Sequence, residues 1–170
     1  MINDALYTQA EVVVTRAGEK AIKIAVAESC TGGLLGGALT AISGSSAVFD
    51  RGFVTYTNDA KEEMLGVLAA SLNFPGPGAV SEVVAKEMAA GALKHSNASI
   101  AVSITGIAGP NSDDTEKPVG LVFFGLAVDG QPVIAHKKQF DGLDRAGVRH
   151  ASVMFALSLL GDTLERFDFR

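Results

Sequence analysis

The sequence predicts an α/β protein: a three-layer α/β/α sandwich around a mixed sheet of about five strands, including one antiparallel hairpin. Three observations predict it. Short apolar runs rich in β-branched residues alternate with longer stretches at helical spacing, the pattern of strand and helix in succession. The 19 glycines of the chain gather at the junctions between those segments and so mark turns. One Asp-Gly pair, Asp129-Gly130, separates two strand-like runs and sets the hairpin.

Asn3 or Asp4 is expected to cap a first helix whose apolar face is Leu6, Ala10, Val13, Val14 and Ala17, and Gly18 ends it. Ile22 to Ala27 suits a buried strand. Glu28-Ser29-Cys30-Thr31-Gly32-Gly33 breaks that run, and Leu34, Leu35, Ala38, Leu39 and Ile42 resume at helical spacing. Ala47 to Tyr56 reads as a second strand with Gly52 as a bulge position. Asp59 with Glu62 resembles a capping box, which puts Lys61 in the first turn of the next helix. Asn73-Phe74-Pro75-Gly76-Pro77-Gly78 can be neither helix nor strand. Ser81 caps a helix carrying Val84, Ala85, Met88, Ala92 and Leu93, and Ser99 to Thr105 alternates as a strand running into Gly106-Ile107-Ala108-Gly109-Pro110. A polar loop, Asn111 to Lys117, precedes strand Val119 to Val128, which pairs with Pro132 to Phe140 across the hairpin. A last helix, Leu143 to Leu160, is expected to bury Val148, Ala151, Phe155 and Leu159.

The 170 residues are read as one domain spanning 1–170, enough to bury roughly 70% of the unfolded surface. Fourteen Lys and Arg against 19 Asp and Glu leave a formal charge of −5, which argues against nucleic acid, whose recognition needs a basic field. A small anionic ligand remains compatible, since single charges and helix ends suffice for it. The longest apolar stretch is about half of the ~20 residues a membrane helix needs, and no secretory leader is readable, so a cytoplasmic protein is expected. One cysteine and three scattered histidines give no zinc-like spacing, so neither metal nor other cofactor is expected.

In an α/β sandwich ligands gather at the carboxyl ends of the strands, where two glycine-rich turns fall: Glu28 to Gly33 and Gly106 to Pro110. The first would present the amides of Thr31, Gly32 and Gly33 to an anion or an oxyanion, with Ser29 at its rim; it would equally serve as a plain cap and close-packing device. It fits neither the phosphate-loop nor the dinucleotide spacing. Ser29 needs a base, and His95, His136 and His150 occupy no strand-end position. Lys61 is the alternative base, provided its free pKa of ~10.4 falls by some three units, and an exposed helix lysine is the plainer reading. Cys30 is a rival nucleophile, but adjacent side chains of an extended segment point oppositely, so one of Ser29 and Cys30 faces the cleft and the other the core. Arg145 and Arg149, four apart on the last helix, form either a solvated face or a phosphate clamp. Tyr56 belongs to the core or stacks on a ring, and Asp113 and Asp114 belong to a loop rather than a metal site.

Taken together, Ala27-Glu28-Ser29-Cys30-Thr31-Gly32-Gly33, Gly44-Ser45-Ser46, Arg51-Gly52-Phe53-Val54-Thr55-Tyr56, Asn58 and Lys61 resemble the CinA C-terminal family. Gly78-Ala79-Val80-Ser81-Glu82, Ser103 to Pro110 and Lys117-Pro118-Val119-Gly120 extend the likeness from about Ala5 to Leu160. Two departures stand out: the N-terminal molybdopterin-binding-like domain of many relatives is not present in this sequence, and the loop at 73–78 is more proline-rich than the family pattern. The resemblance implies a nicotinamide-mononucleotide amidohydrolase that releases nicotinate mononucleotide and ammonia through a serine/lysine pair, Ser29 and Lys61. It further implies substrate contacts from Thr31, Gly32, Gly33, Tyr56, Thr105, Gly106, Ala108, Gly109 and Arg145. A nucleotide-binding regulatory module without chemistry, or an amidase for another small carboxamide, would keep the same pocket. The expected partners are a nucleotide substrate and a second copy of the chain, with no nucleic acid and no membrane.

Overall fold

The computed structural model describes residues 4–169. Asn3, one of the two expected caps of the first helix, lies outside them. Among the described residues six α-helices and five strands follow one another as α1 (Asp4–Glu19), β1 (Ile24–Glu28), α2 (Leu34–Thr40), β2 (Phe49–Val54), α3 (Asn58–Leu65), α4 (Ala69–Leu72), α5 (Glu82–Lys94), β3 (Ile100–Gly106), β4 (Leu121–Val128), β5 (Ile134–Gln139) and α6 (Arg145–Arg166), with one short 3-10 turn at Ser45–Ala47. The strands form one sheet in the order β2-β1-β3-β4-β5. β1 runs parallel to β2 and β3, whereas β4 is antiparallel to both β3 and β5, so the antiparallel part includes β3 as well as the hairpin.

The two faces of the sheet are unequal, and the difference comes from side-chain alternation along each strand. Ile24, Val26, Ile100, Val102, Ile104, Val122, Phe124 and Leu126 point one way and make a thick core with α1, α2 and α6. Ala25, Ala27, Ala101 and Ala127 point the other way, towards α5 and the end of α3. With such small residues on this face, α5 comes close enough for the Ser103 hydroxyl to donate to the Ala85 carbonyl at 2.6 Å. A Cβ on Gly125 would overlap that same carbonyl. No helix among the described residues is long and apolar enough to cross a membrane.

Three local expectations are corrected. The N-cap of α3 is Thr57, whose hydroxyl accepts from Ala60 N–H at 3.1 Å, so Asp59 lies inside the helix and Lys61 sits two residues deeper than the capping-box reading placed it. The bulge of β2 falls at Asp50, where the register with β1 jumps from Phe49 to Arg51. Gly52 instead lets Val26 and Phe49 pack over it: a Cβ there would stand 3.1 and 3.3 Å from their side chains. Along α6 the buried stripe is Val148, Ser152, Val153, Ala156, Leu157, Leu160 and Leu164. Ala151, Phe155 and Leu159 are only partly buried: Phe155 meets Phe124 edge-on at 4.6 Å between ring centroids, and Phe155 and Leu159 line an open groove with His136 and Lys138 of the edge strand β5.

Candidate active site

The strand parity that divides the core also divides Ser29 from Cys30. Ser29 continues the small-residue series of Ala25 and Ala27 and emerges on the α3 side, whereas Cys30 continues the series of Ile24 and Val26 into the thick core. Burial, reinforced by the Glu28 charge, pushes the Cys30 thiol up to about 11, so it stays protonated and a poor nucleophile at neutral pH. The main chain holds Ser29 in place: its N–H donates to Ile104 O at 2.9 Å, and its carbonyl accepts from Gly32 N–H at 3.1 Å.

Lys61 reaches Ser29 from the first half of α3. Its side chain is 1% exposed, among the largest of the fully buried side chains, and carries no carboxylate partner among the described residues. Nζ lies 3.0 Å from Ser29 Oγ, 2.9 Å from the Thr55 carbonyl and 3.5 Å from the Tyr56 carbonyl. Desolvation disfavours the ammonium and lowers the pKa of Lys61 from 10.5 to about 8. A neutral amine has two hydrogens and one lone pair. The two carbonyls can take the hydrogens, which leaves the lone pair facing the Ser29 hydroxyl.

Around this pair opens a cleft of about 270 Å³ at the carboxyl ends of β1 and β3. Tyr56, Thr105, Gly106, Ala108, Gly109 and Arg145 line it, as do Ser29 and Lys61. Thr105 is buried and its hydroxyl donates to Ala79 O at 2.8 Å, tying two lining residues of the cleft together. Arg145, the first residue of α6, donates to Gly109 O at 2.7 Å and to the Tyr56 hydroxyl at 3.0 Å. Thr31, Gly32 and Gly33 stand apart from the lining. They carry the chain from Ser29 towards α2 on the opposite face, with Gly32 and Gly33 at φ 58° and 97°, where glycine is the natural occupant. Thr31 is fully buried, and its carbonyl accepts from Arg149 at 3.2 Å. Arg149 is thus a support of the turn, while Arg145, one helical turn away, faces the cleft.

The cleft also contains Asn58, Asn111 and Ser112, to which the sequence reading gave no role. Asn58 stood in the motif with Lys61 and was legible there. Asn111 and Ser112 sat in a polar loop whose composition carries no periodic signal.

The model of the CinA C-terminal domain matches residues 6–164. The chain belongs to the CinA C-terminal domain family. It is 53% identical over 134 residues to the nicotinamide-nucleotide amidohydrolase PncC of Enterobacter agglomerans, covering 79% of this chain and 80% of that protein. The enzyme of the same name from Escherichia coli K12 is 50% identical over 137 residues, 81% of each chain. A putative competence-damage inducible protein of Caldicellulosiruptor saccharolyticus is 49% identical over 158 residues; the match takes in 92% of this chain but 37% of that longer protein. Among solved structures, the competence/damage inducible protein CihA of Agrobacterium tumefaciens superposes with a TM-score of 0.91 at 44% identity, over 98% of this chain and 99% of that one.

Proposed function

We propose that this chain hydrolyses the carboxamide of nicotinamide mononucleotide to nicotinate mononucleotide and ammonia, with Ser29 as nucleophile and Lys61 as its base. The observation that carries the mechanism is the 3.0 Å approach of a buried amine, with no carboxylate partner among the described residues, to a strand-end serine. The substrate class is supported by relatives at about 50% identity named as amidohydrolases of nicotinamide nucleotides.

Neutral Lys61 takes the Ser29 proton while Oγ bonds to the carboxamide carbon. Collapse of the tetrahedral intermediate breaks the C–N bond, and the proton on Lys61 leaves with the ammonia. Water then attacks the acyl ester by the same route, returning its proton through Lys61 to Ser29. Thr31, Gly32 and Gly33 stand too far from the cleft to hold the oxyanion, and the Ser29 amide is engaged by the Ile104 carbonyl, so the turn's amide for the oxyanion is that of Cys30, whose residue lines the cleft beside Ser29. Tyr56 contacts the pyridine ring, and Arg145 with the Gly106 to Gly109 turn takes the ribose phosphate. The reading assigns the work to the cytoplasm and to a homodimer, the commonest assembly of soluble enzymes.

Ammonia release from nicotinamide mononucleotide, nicotinamide riboside and nicotinamide tests the proposal. Turnover of the first alone, abolished in Ser29→Ala, is expected. Equal turnover without the phosphate would make the chain a general carboxamidase, and no turnover of any would leave a binding module.

A further inference from the structure

Glu28 is 1% exposed at the last position of β1, and a carboxylate so buried needs partners. It has two, both of them main-chain amides: Leu35 N–H donates to Oε1 at 2.8 Å and Gly36 N–H to Oε2 at 3.0 Å. These amides belong to the opening turn of α2, where no helical carbonyl is available to them. Between the carboxylate and its donors lies the whole Ser29 to Gly33 turn. The main chain of the same residue engages the other half of the site: Glu28 O accepts from Thr55 N–H at 2.9 Å, and Thr55 O accepts from Lys61 Nζ at 2.9 Å. Residue 28 thus touches neither Lys61 nor the cleft, yet its bonds lead to both.

We infer that Glu28 is a positioning residue for Ser29: its carboxylate ties the end of β1 to the start of α2 and so fixes the turn that holds the serine hydroxyl against the Lys61 amine. The inference rests on the Ser29–Lys61 reading above. Two ways in which Glu28 could matter are separable. If it acts by geometry, weakening the tie displaces Ser29 and leaves the ionisation of Lys61 alone. If it acts by charge, the titration of Lys61 moves with it. Burial dominates the lowered Lys61 pKa, with Cys30 as the opposing influence, whereas the Glu28 charge is felt at Cys30. Geometry is therefore the expected mode.

Glu28→Gln keeps the length and loses one of the two acceptors; Glu28→Asp keeps the charge and is one methylene too short to reach both amides. Each is compared with wild type as folded protein, by circular dichroism at the assay temperature, in two measurements. The first is kcat and KM for nicotinamide mononucleotide across pH 6 to 10. The second is the rate at which a fluorophosphonate labels Ser29, which does not depend on the natural amide. Expected for both variants is a ten- to hundredfold lower kcat and slower labelling, because misplacement of about 1 Å costs on the order of a hundredfold. KM should stay within threefold and the pH midpoint within half a unit. A folded variant that keeps kcat and labelling within twofold of wild type overturns the inference, as does a displaced midpoint or full rescue by Glu28→Asp. Should wild type release no ammonia from the nucleotide, the substrate reading fails, and the labelling rates still decide the role of Glu28. If Glu28→Gln does not fold, the Glu28→Asp comparison carries the test.

Discussion

At Ser29 and Lys61 the chemistry depends on a choice made one residue at a time. A slip of β1 by one residue in register would send Cys30 to the α3 side and Ser29 into the core, since parity fixes which side chain faces Lys61. The consequence for rate is a pH dependence. With a pKa near 8, about a tenth of Lys61 is neutral at pH 7. Turnover per enzyme should rise with pH and level above about 8.5, and a flat profile from pH 6 to 9 would remove Lys61 as the base. Lys61→Ala should lower kcat at least a thousandfold at pH 8, with little change in nucleotide affinity by calorimetry. Cys30→Ala, by contrast, should keep most of the rate, because a thiol held up at about 11 contributes no thiolate at that pH. If Cys30→Ala is the inactive variant and Ser29→Ala the active one, the nucleophile is Cys30.

Elements position the pair through unusually close helix packing on the alanine side of the sheet. α5 presses against the end of α3 at Gly91, where a Cβ would overlap the Leu65 carbonyl. Gly91→Ala must push α3 outward, and α3 carries Lys61. We expect a loss of about 1–3 kcal/mol in denaturant unfolding, typical of overpacking, together with lower kcat. A loss of stability with kcat unchanged would show that the shift is absorbed before it reaches Lys61. Such packing explains what could be read in the sequence. The strand β1, its glycine turn and α2 were legible because an apolar run, a break and a helical stripe follow one another within twenty residues. The parity argument separating Ser29 from Cys30 needed only the strand. Lys61 was harder: within Asn58–Leu65 it looks like any polar helix residue, its first-turn position made it a candidate base against the plainer reading of an exposed lysine, and its place among family motifs strengthened that candidacy. Glu28 left no signal, since a buried acid whose partners are main-chain amides has no sequence counterpart to be matched with. The α6 stripe was displaced because a helix serving α1, α2 and the sheet at once buries more than one face, which a single 3.6-residue stripe does not describe.

For the molecule as a whole, Lys61 should cost stability in return for function. Lowering its pKa from 10.5 to about 8 means that the folded state disfavours the ammonium by about 3 kcal/mol at neutral pH. The sign follows from proton linkage. Between pH 8 and 10.5 the unfolded chain binds the proton that the folded chain has lost, so stability attributable to this group rises with pH across that window. Below 8 both states are charged and the full penalty applies; above 10.5 both are neutral and it vanishes. Lys61→Met removes the penalty but leaves the Thr55 carbonyl without its donor, a loss of about 1 kcal/mol. The variant should therefore be inactive and about 2 kcal/mol more stable than wild type at pH 7. It should be equal or slightly less stable above pH 10.5, with the difference changing sign within the window. Urea unfolding of both proteins at pH 7, 9 and 10.5 measures this. A stability difference that does not vary with pH would mean that the amine titrates alike in the folded and unfolded chains, and the poised neutral base would lose its physical footing.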